Sequence, residues 1–254
     1  MWTGVKARAS RQWASWVVSE ESRPKRRSRA KEFRDRFPWM GPLLFGLSIL
    51  YFAVQIVVSL AWTPSYSWLH NSISDLGNTS CRTTLCSPRH DWMNAEFLLL
   101  GFVMAAGSWL IFQEFADRVA DERLAARIGF SCLAIGGVGA ALVGRFPENT
   151  VHAMHIIGAG LAIGVGTAGI FVLGLVLSLP HGRYLRLSMR FVPPIAVTAL
   201  ILFACRVYLG IGAGTMERLA AYPETAWMIT FGMYISRDHH QGPGRRVKTA
   251  EGRR

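Results

Sequence analysis

The chain has 254 residues, of which 51% are hydrophobic and only 17% are charged. Soluble domains carry about 25% charged residues, so this composition excludes an ordinary soluble protein and indicates a membrane protein. The net charge of +12 suggests nucleic-acid binding only if the cations share a binding face. They lie mainly in two tails, without aromatic residues placed to stack on bases. We therefore expect no nucleic-acid partner.

The two basic tails are residues 1–38 and residues 237–254, which hold eleven and six Lys or Arg residues. We expect them to set the membrane topology and to attract anionic lipid headgroups. No cleavable signal peptide is expected before Trp39, because no apolar stretch follows the first basic residues. Residues Val5–Val18 fit a short interfacial helix or a disordered tail equally well.

Residues 39–236 form the predicted transmembrane domain. It contains six apolar segments that we read as helices crossing a hydrocarbon core of about 30 Å. The last segment is the weakest, because Pro223 and Glu224 lie in its first turn. The segments are Trp39–Trp62, Trp92–Phe115, Ile128–Gly144, His152–Leu179, Phe191–Leu209 and Ala220–Ser236.

Local patterns refine these segments. Residues Ala116–Arg127 balance acids against arginines and are predicted to form a short solvated turn. Gly160 and Gly164 make a GxxxG pattern, which favours close packing of the third helix on the fourth. Pro193 and Pro194 are expected at the start of the fifth helix, where missing amide protons cost least.

The distribution of cations predicts the orientation. If the N-terminus lies inside, the inner segments hold 23 of the 28 Lys and Arg residues. This bias follows the positive-inside rule. The sequence therefore predicts an all-α, polytopic membrane protein with six transmembrane helices in one bundle and both termini cytoplasmic. The expected location is a cell membrane, of the bacterial plasma-membrane type.

With that orientation, most of the other ionisable residues collect at the outer end of the bundle, around the loop His70–Asn94. We interpret this end as a polar vestibule that binds a ligand. Its arginines would bind an anionic group, and its acids would hold the arginines in place. The predicted ligand-binding residues are Asp75, Arg145, Glu148, His152, His155, Arg206, Glu217 and Arg218.

Arg206 is predicted to lie within the apolar part of the fifth helix, where a charge is costly. It either serves the vestibule or is a structural charge that snorkels to the interface or fixes helix order. Its candidate counter-ions are Glu96, Asp75, Glu148 and Glu217.

His152 and His155 lie three residues apart, on one face of the fourth helix. Such a pair either ligates a metal with a carboxylate or caps a helix end. The other candidate ligands are scattered over separate loops, so we assign no metal. We also assign no cofactor, because haem needs histidines that face each other across the bundle. Ser74 beside Asp75 is a weak candidate nucleophile, because a lone serine is poor evidence of catalysis, and no catalytic residue is assigned.

Cys81 and Cys86 lie in the outer loop, where a disulfide in an oxidising compartment is favoured over a zinc-binding pair. Cys132 and Cys205 fall in apolar segments and are predicted to be packing residues. Asn78 begins an N-x-S/T sequence, which matters only in a eukaryotic source.

Three stretches together resemble the domain of unknown function 998 family. The first is Ser74–Thr79 with Cys81 and Cys86–His90, the second is Gly144–Glu148 with the two histidines that follow, and the third is Glu217–Pro223 with Trp227. The match covers about residues 40–236. The resemblance implies a six-helix membrane protein of the bacterial, commonly actinobacterial, type, and it implies no reaction.

Three functions remain open from the sequence. The first is binding of a small polar ligand or a lipid headgroup in the vestibule, with the lipid bilayer as the main partner. The second is a metal-dependent intramembrane lipid hydrolase that uses the two histidines. The third is a structural subunit of a membrane complex. The sequence assigns no oligomeric state.

Overall fold

The computed structural model describes residues 29–81 and 86–240. The segment Val5–Val18, and with it the choice between an interfacial helix and a disordered tail, lies outside the described residues. The chain divides into a unit of residues 1–36 and a unit of residues 37–254. In the first unit the structure describes one helix, α1 (Arg29–Arg36).

The second unit is a helical bundle. Its first span consists of α2 (Met40–Leu47) and α3 (Leu50–Ser59), and the loop that follows contains a short 3₁₀ helix (Ser74–Gly77). The next helices are α4 (His90–Phe115) and α5 (Ala120–Arg145). Then α6 (His152–Ala159) continues through a π-helical segment (Gly160–Val165) into α7 (Gly166–Val176). The last two helices are α8 (Arg183–Ala204) and α9 (Ala213–His240).

The predicted all-α fold is confirmed for the described residues, which contain no β-strand. Five helical spans are long and apolar enough to cross a membrane: Met40–Ser59, His90–Phe115, Ala120–Arg145, His152–Val176 and Arg183–Ala204. The protein is therefore a multi-pass membrane protein. The sixth helix, α9, has 28 residues and is long enough to cross, but it is too polar to count among the five.

The polarity of α9 is explained by its position inside the bundle. It buries both polar and aromatic side chains against the other helices, so its polar residues do not face lipid. Trp227 stacks on Phe231 with ring centroids 4.7 Å apart, and Phe45 packs edge-on against the same indole. The buried polar residues of α9 are Glu217, Arg218, Glu224 and Thr225.

Consecutive spans run in opposite directions, so one end of the bundle collects the residues that flank the long loop. We call it the loop end, and it comprises Ser59–His90, Arg145–His152 and Ala204–Ala213. Hydrogen bonds join these segments: Thr215 donates its amide proton to the Leu69 carbonyl, and the Asn94 side chain donates to the Gly77 carbonyl.

Glycines set the packing of α5 against α6 and α7, which confirms the predicted close packing of the third span on the fourth. A Cβ atom on Gly139 would lie 2.5 Å from the Gly158 carbonyl, and one on Gly169 would lie 2.5 Å from the Gly129 carbonyl. A Cβ atom on Gly160 would meet nothing within 4 Å. The GxxxG prediction was wrong in its residues, because this part of the helix faces a cavity.

The predicted turn Ala116–Arg127 was also wrong over most of its length, because α5 begins at Ala120. Its alanines, leucine and arginines favour a helix, and Asp121 stabilises the first turn through the helix dipole. Glu122 is buried and accepts the Ser178 amide proton at 3.0 Å. Charge balance in the sequence therefore marked a helix start rather than a turn.

The fifth span begins and ends earlier in the chain than the predicted range Phe191–Leu209. The helix α8 starts at Arg183 and ends at Ala204, so Pro193 and Pro194 lie inside it rather than at its start. Arg190 supports the early turns by donating to the Gly174 carbonyl at 2.6 Å. The basic residues Arg183, Arg186 and Arg190 therefore belong to the helix rather than to the connection before it.

Candidate functional site

A cavity of about 790 Å³ opens at the loop end. Its polar lining comes from the long loop and from the ends of α6, α8 and α9, and its apolar lining comes from deeper turns of α6 and α8. The polar residues are His70, Ser72, Ser74, Asp75, Glu148, His152, His155, Arg206, Tyr208 and Glu217. The apolar residues include Ile156, Ile163, Leu200, Ile201 and Phe203.

Six of the eight predicted ligand-binding residues line this cavity, and two do not. The six are Asp75, Glu148, His152, His155, Arg206 and Glu217. Arg145 is exposed at the end of α5, with its guanidinium 5.5 Å from the Phe146 ring centroid. Arg218 lies on α9, with its side chain buried against the long loop instead. Glu96, a predicted counter-ion of Arg206, does not line the cavity either.

Arg218 holds the loop that forms one side of the cavity. Its guanidinium donates to the carbonyls of Trp68 at 2.9 Å, Asn71 at 3.1 Å and Gly214 at 2.8 Å. It also donates to the hydroxyls of Tyr66 and Tyr222. The cation is buried, and these acceptors replace the water that it loses. Arg218 is therefore a structural residue of the loop end.

Tyr66 connects this arginine to the start of the 3₁₀ helix. Its hydroxyl accepts from Arg218 and donates to the Ser72 carbonyl at 2.6 Å. Burial raises the pKa of Tyr66, although the neighbouring Arg218 acts in the opposite direction. The phenol therefore stays protonated and keeps donating to the loop.

Ser74 stands at the centre of a hydrogen-bonded group on the cavity wall. Its Oγ lies 2.9 Å from Nε2 of His155 and 3.0 Å from Oε1 of Glu217. The other ring nitrogen, Nδ1 of His155, lies 3.0 Å from the Phe146 carbonyl oxygen. The other oxygen of Glu217 accepts the Ile73 amide proton. The 3₁₀ helix, α6 and α9 thus meet at one hydroxyl group.

The Phe146 carbonyl decides the tautomer of His155. A carbonyl oxygen only accepts, so Nδ1 carries a proton, and Nε2 of the neutral ring is left as an acceptor. Ser74 has one hydrogen for two neighbours. Both contacts are hydrogen bonds only when Glu217 or Nε2 of His155 brings a second proton.

Asp75 has a local structural role beside its place in the cavity wall. Its Oδ2 accepts the Ser72 amide proton at 2.8 Å, and the Ser72 hydroxyl accepts the Asp75 amide proton at 2.9 Å. This reciprocal pair satisfies amide groups at the start of the 3₁₀ helix. The turn that carries Ser74 is thereby fixed.

Arg206 lies beyond the helix rather than inside it, contrary to the prediction. Its amide proton is donated to the Phe203 carbonyl and that of Val207 to the Leu202 carbonyl, which is a Schellman cap. The capping residue has φ +59°. Glycine usually takes this conformation, because a side chain there costs about 1 kcal/mol. An arginine held in this way places a guanidinium at the cavity.

Glu148 and His152 form the exposed rim of the cavity. Nδ1 of His152 lies 4.0 Å from Oε1 of Glu148. The predicted pair of His152 and His155 therefore separates, with one imidazole at the rim and the other buried. Among the described residues no three His, Cys, Asp or Glu side chains come together as metal ligands. Both ring nitrogens of His155 already have protein partners.

A disulfide joins Cys81 and Cys86 in the long loop. The loop is also tied to the end of the first span, because Thr63 donates its amide proton to the Cys86 carbonyl at 3.2 Å. Cys132 is half-buried in α5, as expected of a packing residue, whereas Cys205 is exposed at the end of α8.

The sequence did not single out the contact between Ser74 and His155. The two residues are 81 positions apart, and neither lies in a local catalytic motif. The only signal was their occurrence in two separate stretches of the resemblance described above. Tyr66 and Tyr222, which hold Arg218, were likewise not identified, because aromatic residues at helix ends are common in membrane proteins.

The comparison with protein families identifies one family model over residues 46–234, described as a protein of unknown function (DUF998). No curated protein and no solved structure matches the chain.

Proposed function

The chain belongs to the DUF998 family of proteins of unknown function, and we propose that this membrane protein binds an anionic lipid headgroup in the loop-end cavity. The observation that carries the proposal is the lining of that cavity, which is polar on the loop side and apolar along α6 and α8. A ligand that satisfies both parts is amphiphilic. The cavity volume of about 790 Å³ accommodates a headgroup and the first part of an acyl chain.

The depth of the apolar lining supports a lipid rather than a wholly polar ligand. Ile163 lies eleven residues beyond His152 along the fourth span, or about 16 Å at 1.5 Å per residue. Leu200 lines the same cavity from the last turns of α8. An acyl chain that follows these residues removes apolar surface from water at about 25 cal/mol per Å².

Arg206 supports an anionic headgroup. Among the described residues it forms no salt bridge, while it keeps a backbone conformation that favours glycine. The acids nearby are already engaged: Asp75 accepts from Ser72, and Glu217 accepts from Ile73. The guanidinium is therefore the group left to bind a phosphate or carboxylate.

The orientation belongs to the same proposal. With cytoplasmic termini, the loop end faces the outer side of a bacterial plasma membrane, and the cavity takes lipid from the outer leaflet. The bond between Cys81 and Cys86 fits an oxidising compartment on that side. Reporter fusions at residue 254 and in the loop at Asp75 test this arrangement. Cytoplasmic labelling of the loop would contradict it.

The binding experiment uses nanodiscs with equal amounts of phosphatidylglycerol and phosphatidylcholine. Native mass spectrometry then counts the lipids retained by the purified protein. We expect wild type to retain phosphatidylglycerol selectively, and Arg206→Gln to lose at least tenfold in occupancy. Arg145→Gln is the matched control, because it removes an exposed arginine outside the cavity and should retain lipid as wild type does.

A second binding measurement, with a water-soluble ligand, separates the contribution of the headgroup from that of the acyl chains. Glycerophosphoglycerol, the deacylated form of phosphatidylglycerol, has the same phosphodiester anion without acyl chains and is added to the protein in neutral nanodiscs. We expect it to bind at least a hundredfold more weakly than phosphatidylglycerol. Equal affinity would mean that the apolar lining contributes nothing and would contradict the lipid proposal, as would equal retention by both arginine variants.

A further inference from the structure

The contact between Ser74 and His155 is not needed for lipid binding, and its geometry points to chemistry. We propose that Ser74 is a nucleophile activated by His155, and that the protein cleaves or transfers an acyl ester of the lipid bound in the cavity. This inference rests on the lipid binding proposed above.

The first argument is the orientation of the imidazole. The Phe146 carbonyl accepts from Nδ1 at 3.0 Å, which leaves Nε2 as the basic nitrogen, 2.9 Å from the Ser74 hydroxyl oxygen. A general base needs this heavy-atom distance and a third group that fixes its tautomer. Here the third group is a backbone carbonyl instead of the carboxylate of a serine protease triad.

The second argument is access. Ser74 and His155 both line the cavity, although the imidazole is buried from bulk solvent. The apolar residues Ile156 and Ala159 follow His155 on the same helix and line the same cavity. An acyl chain that lies along them brings its ester carbonyl to the loop side, where Ser74 is located.

The reaction balances with water as the only co-reactant. Oγ of Ser74 attacks the ester carbonyl carbon, and its proton passes to Nε2 of His155. The tetrahedral intermediate collapses with cleavage of the bond to the alkoxy oxygen, which takes that proton and leaves as the alcohol. Water then attacks the serine ester with His155 as base, and the carboxylic acid is released with Ser74 restored. A second alcohol in place of water gives acyl transfer.

Glu217 acts in this arrangement as a positioning residue. It accepts the Ile73 amide proton next to the nucleophile, and its other oxygen lies 3.0 Å from the Ser74 hydroxyl oxygen. The carboxylic acid form donates to that oxygen and leaves the serine hydrogen for His155. Glutamine keeps both an acceptor for Ile73 and a donor for Ser74, so Glu217→Gln should preserve the reactivity of the serine.

The test uses a fluorophosphonate, which forms a covalent adduct only with an activated serine. Full-length protein in nanodiscs is treated with the probe, and peptide mass spectrometry locates the adduct. We expect an adduct on Ser74 of wild type, none on Ser74→Ala, and at least a hundredfold slower labelling of His155→Gln. Ser188→Ala is the matched control, because Ser188 lies in α8 outside this cavity, with its hydroxyl bonded to the Leu185 carbonyl of the same helix, and should leave labelling unchanged.

The labelling of wild-type protein tests the proposal even when a variant does not fold. Folded wild type that carries no adduct on Ser74, or an adduct on Ser72 instead, would overturn the proposal. Release of 4-methylumbelliferone from its heptanoate ester gives a second readout, which we expect to fall with labelling in Ser74→Ala. Labelling of folded His155→Gln at the wild-type rate would remove the histidine from the mechanism.

The experiments can refute the lipid-binding proposal and the serine-nucleophile proposal independently of each other. If phosphatidylglycerol is retained selectively but Ser74 stays unlabelled, the cavity binds lipid without cleaving it, and only this inference falls. If Ser74 is labelled while no lipid is retained, the lipid proposal falls and the acyl-ester substrate with it.

Discussion

The guanidinium of Arg218 lies 4.7 Å from the centroid of the Trp68 ring and donates a hydrogen bond to the Trp68 carbonyl at 2.9 Å. One residue of the loop is thus held by both its side chain and its backbone. The same cation reaches the first span through Tyr222, whose hydroxyl donates to Gln55 at 2.9 Å. A buried charge on α9 therefore fixes the loop that carries Ser74.

Arg218→Lys is expected to destabilise the protein strongly. The ammonium group has three donors on a flexible stem and cannot serve five acceptors arranged around a planar guanidinium. Leaving buried carbonyls unpaired costs about 1–3 kcal/mol each, so we expect a loss of at least about 3 kcal/mol. Thermal unfolding in detergent measures it as a fall in Tm of about 6–12 °C. Arg145→Lys, at an exposed site, should move Tm by less than about 1 °C.

Arg206→Gly separates the backbone conformation from the charge. Glycine takes φ +59° without the strain of a side chain, so the helix cap should gain about 1 kcal/mol. We expect Tm to rise by about 2–4 °C while the retention of phosphatidylglycerol falls at least tenfold. A variant that loses stability together with lipid would show that the guanidinium has a structural role.

The sequence predicted the number of helices well because each span must bury its backbone polar groups within a long apolar segment. Boundaries were predicted less well. The charges of the segment Ala116–Arg127 predicted a solvated turn. Glu122 is instead buried and accepts the amide proton of Ser178, which is 56 positions away. Such long-range contacts have no local signal in the chain.

The candidate site was predicted as a set of ionisable residues at one end of the bundle, and most of them line one cavity. Arg218 was predicted to bind ligand together with them, because the sequence does not distinguish an arginine that faces a ligand from one that donates to protein carbonyls. Ser74 was set aside because a serine becomes a candidate nucleophile only through its neighbours. His155 reaches it from another span, which charge and spacing do not reveal.

Gly139→Ala and Gly160→Ala should change stability in opposite directions. A methyl group on Gly139 would lie 2.5 Å from two backbone atoms of the neighbouring helix, so α5 and α6 must move apart at a cost of about 1–3 kcal/mol. Gly160 has open space around its Cα, and alanine there should add about 0.5–1 kcal/mol through helix propensity. Tm in detergent compares the two, and equal losses would contradict the packing described for α5.

Glu217→Met and Glu224→Met test two buried acids on one face of α9, two turns apart. Glu217 accepts from Ile73 and contacts Ser74, so methionine should cost at least about 2 kcal/mol by leaving the Ile73 amide unpaired. Oε1 of Glu224 is buried, with no hydrogen-bond partner among the described residues. Methionine has a similar size and no polar atom to bury, so Tm should stay unchanged or rise. A loss at Glu224 equal to that at Glu217 would reveal a partner for this carboxyl group in the folded protein.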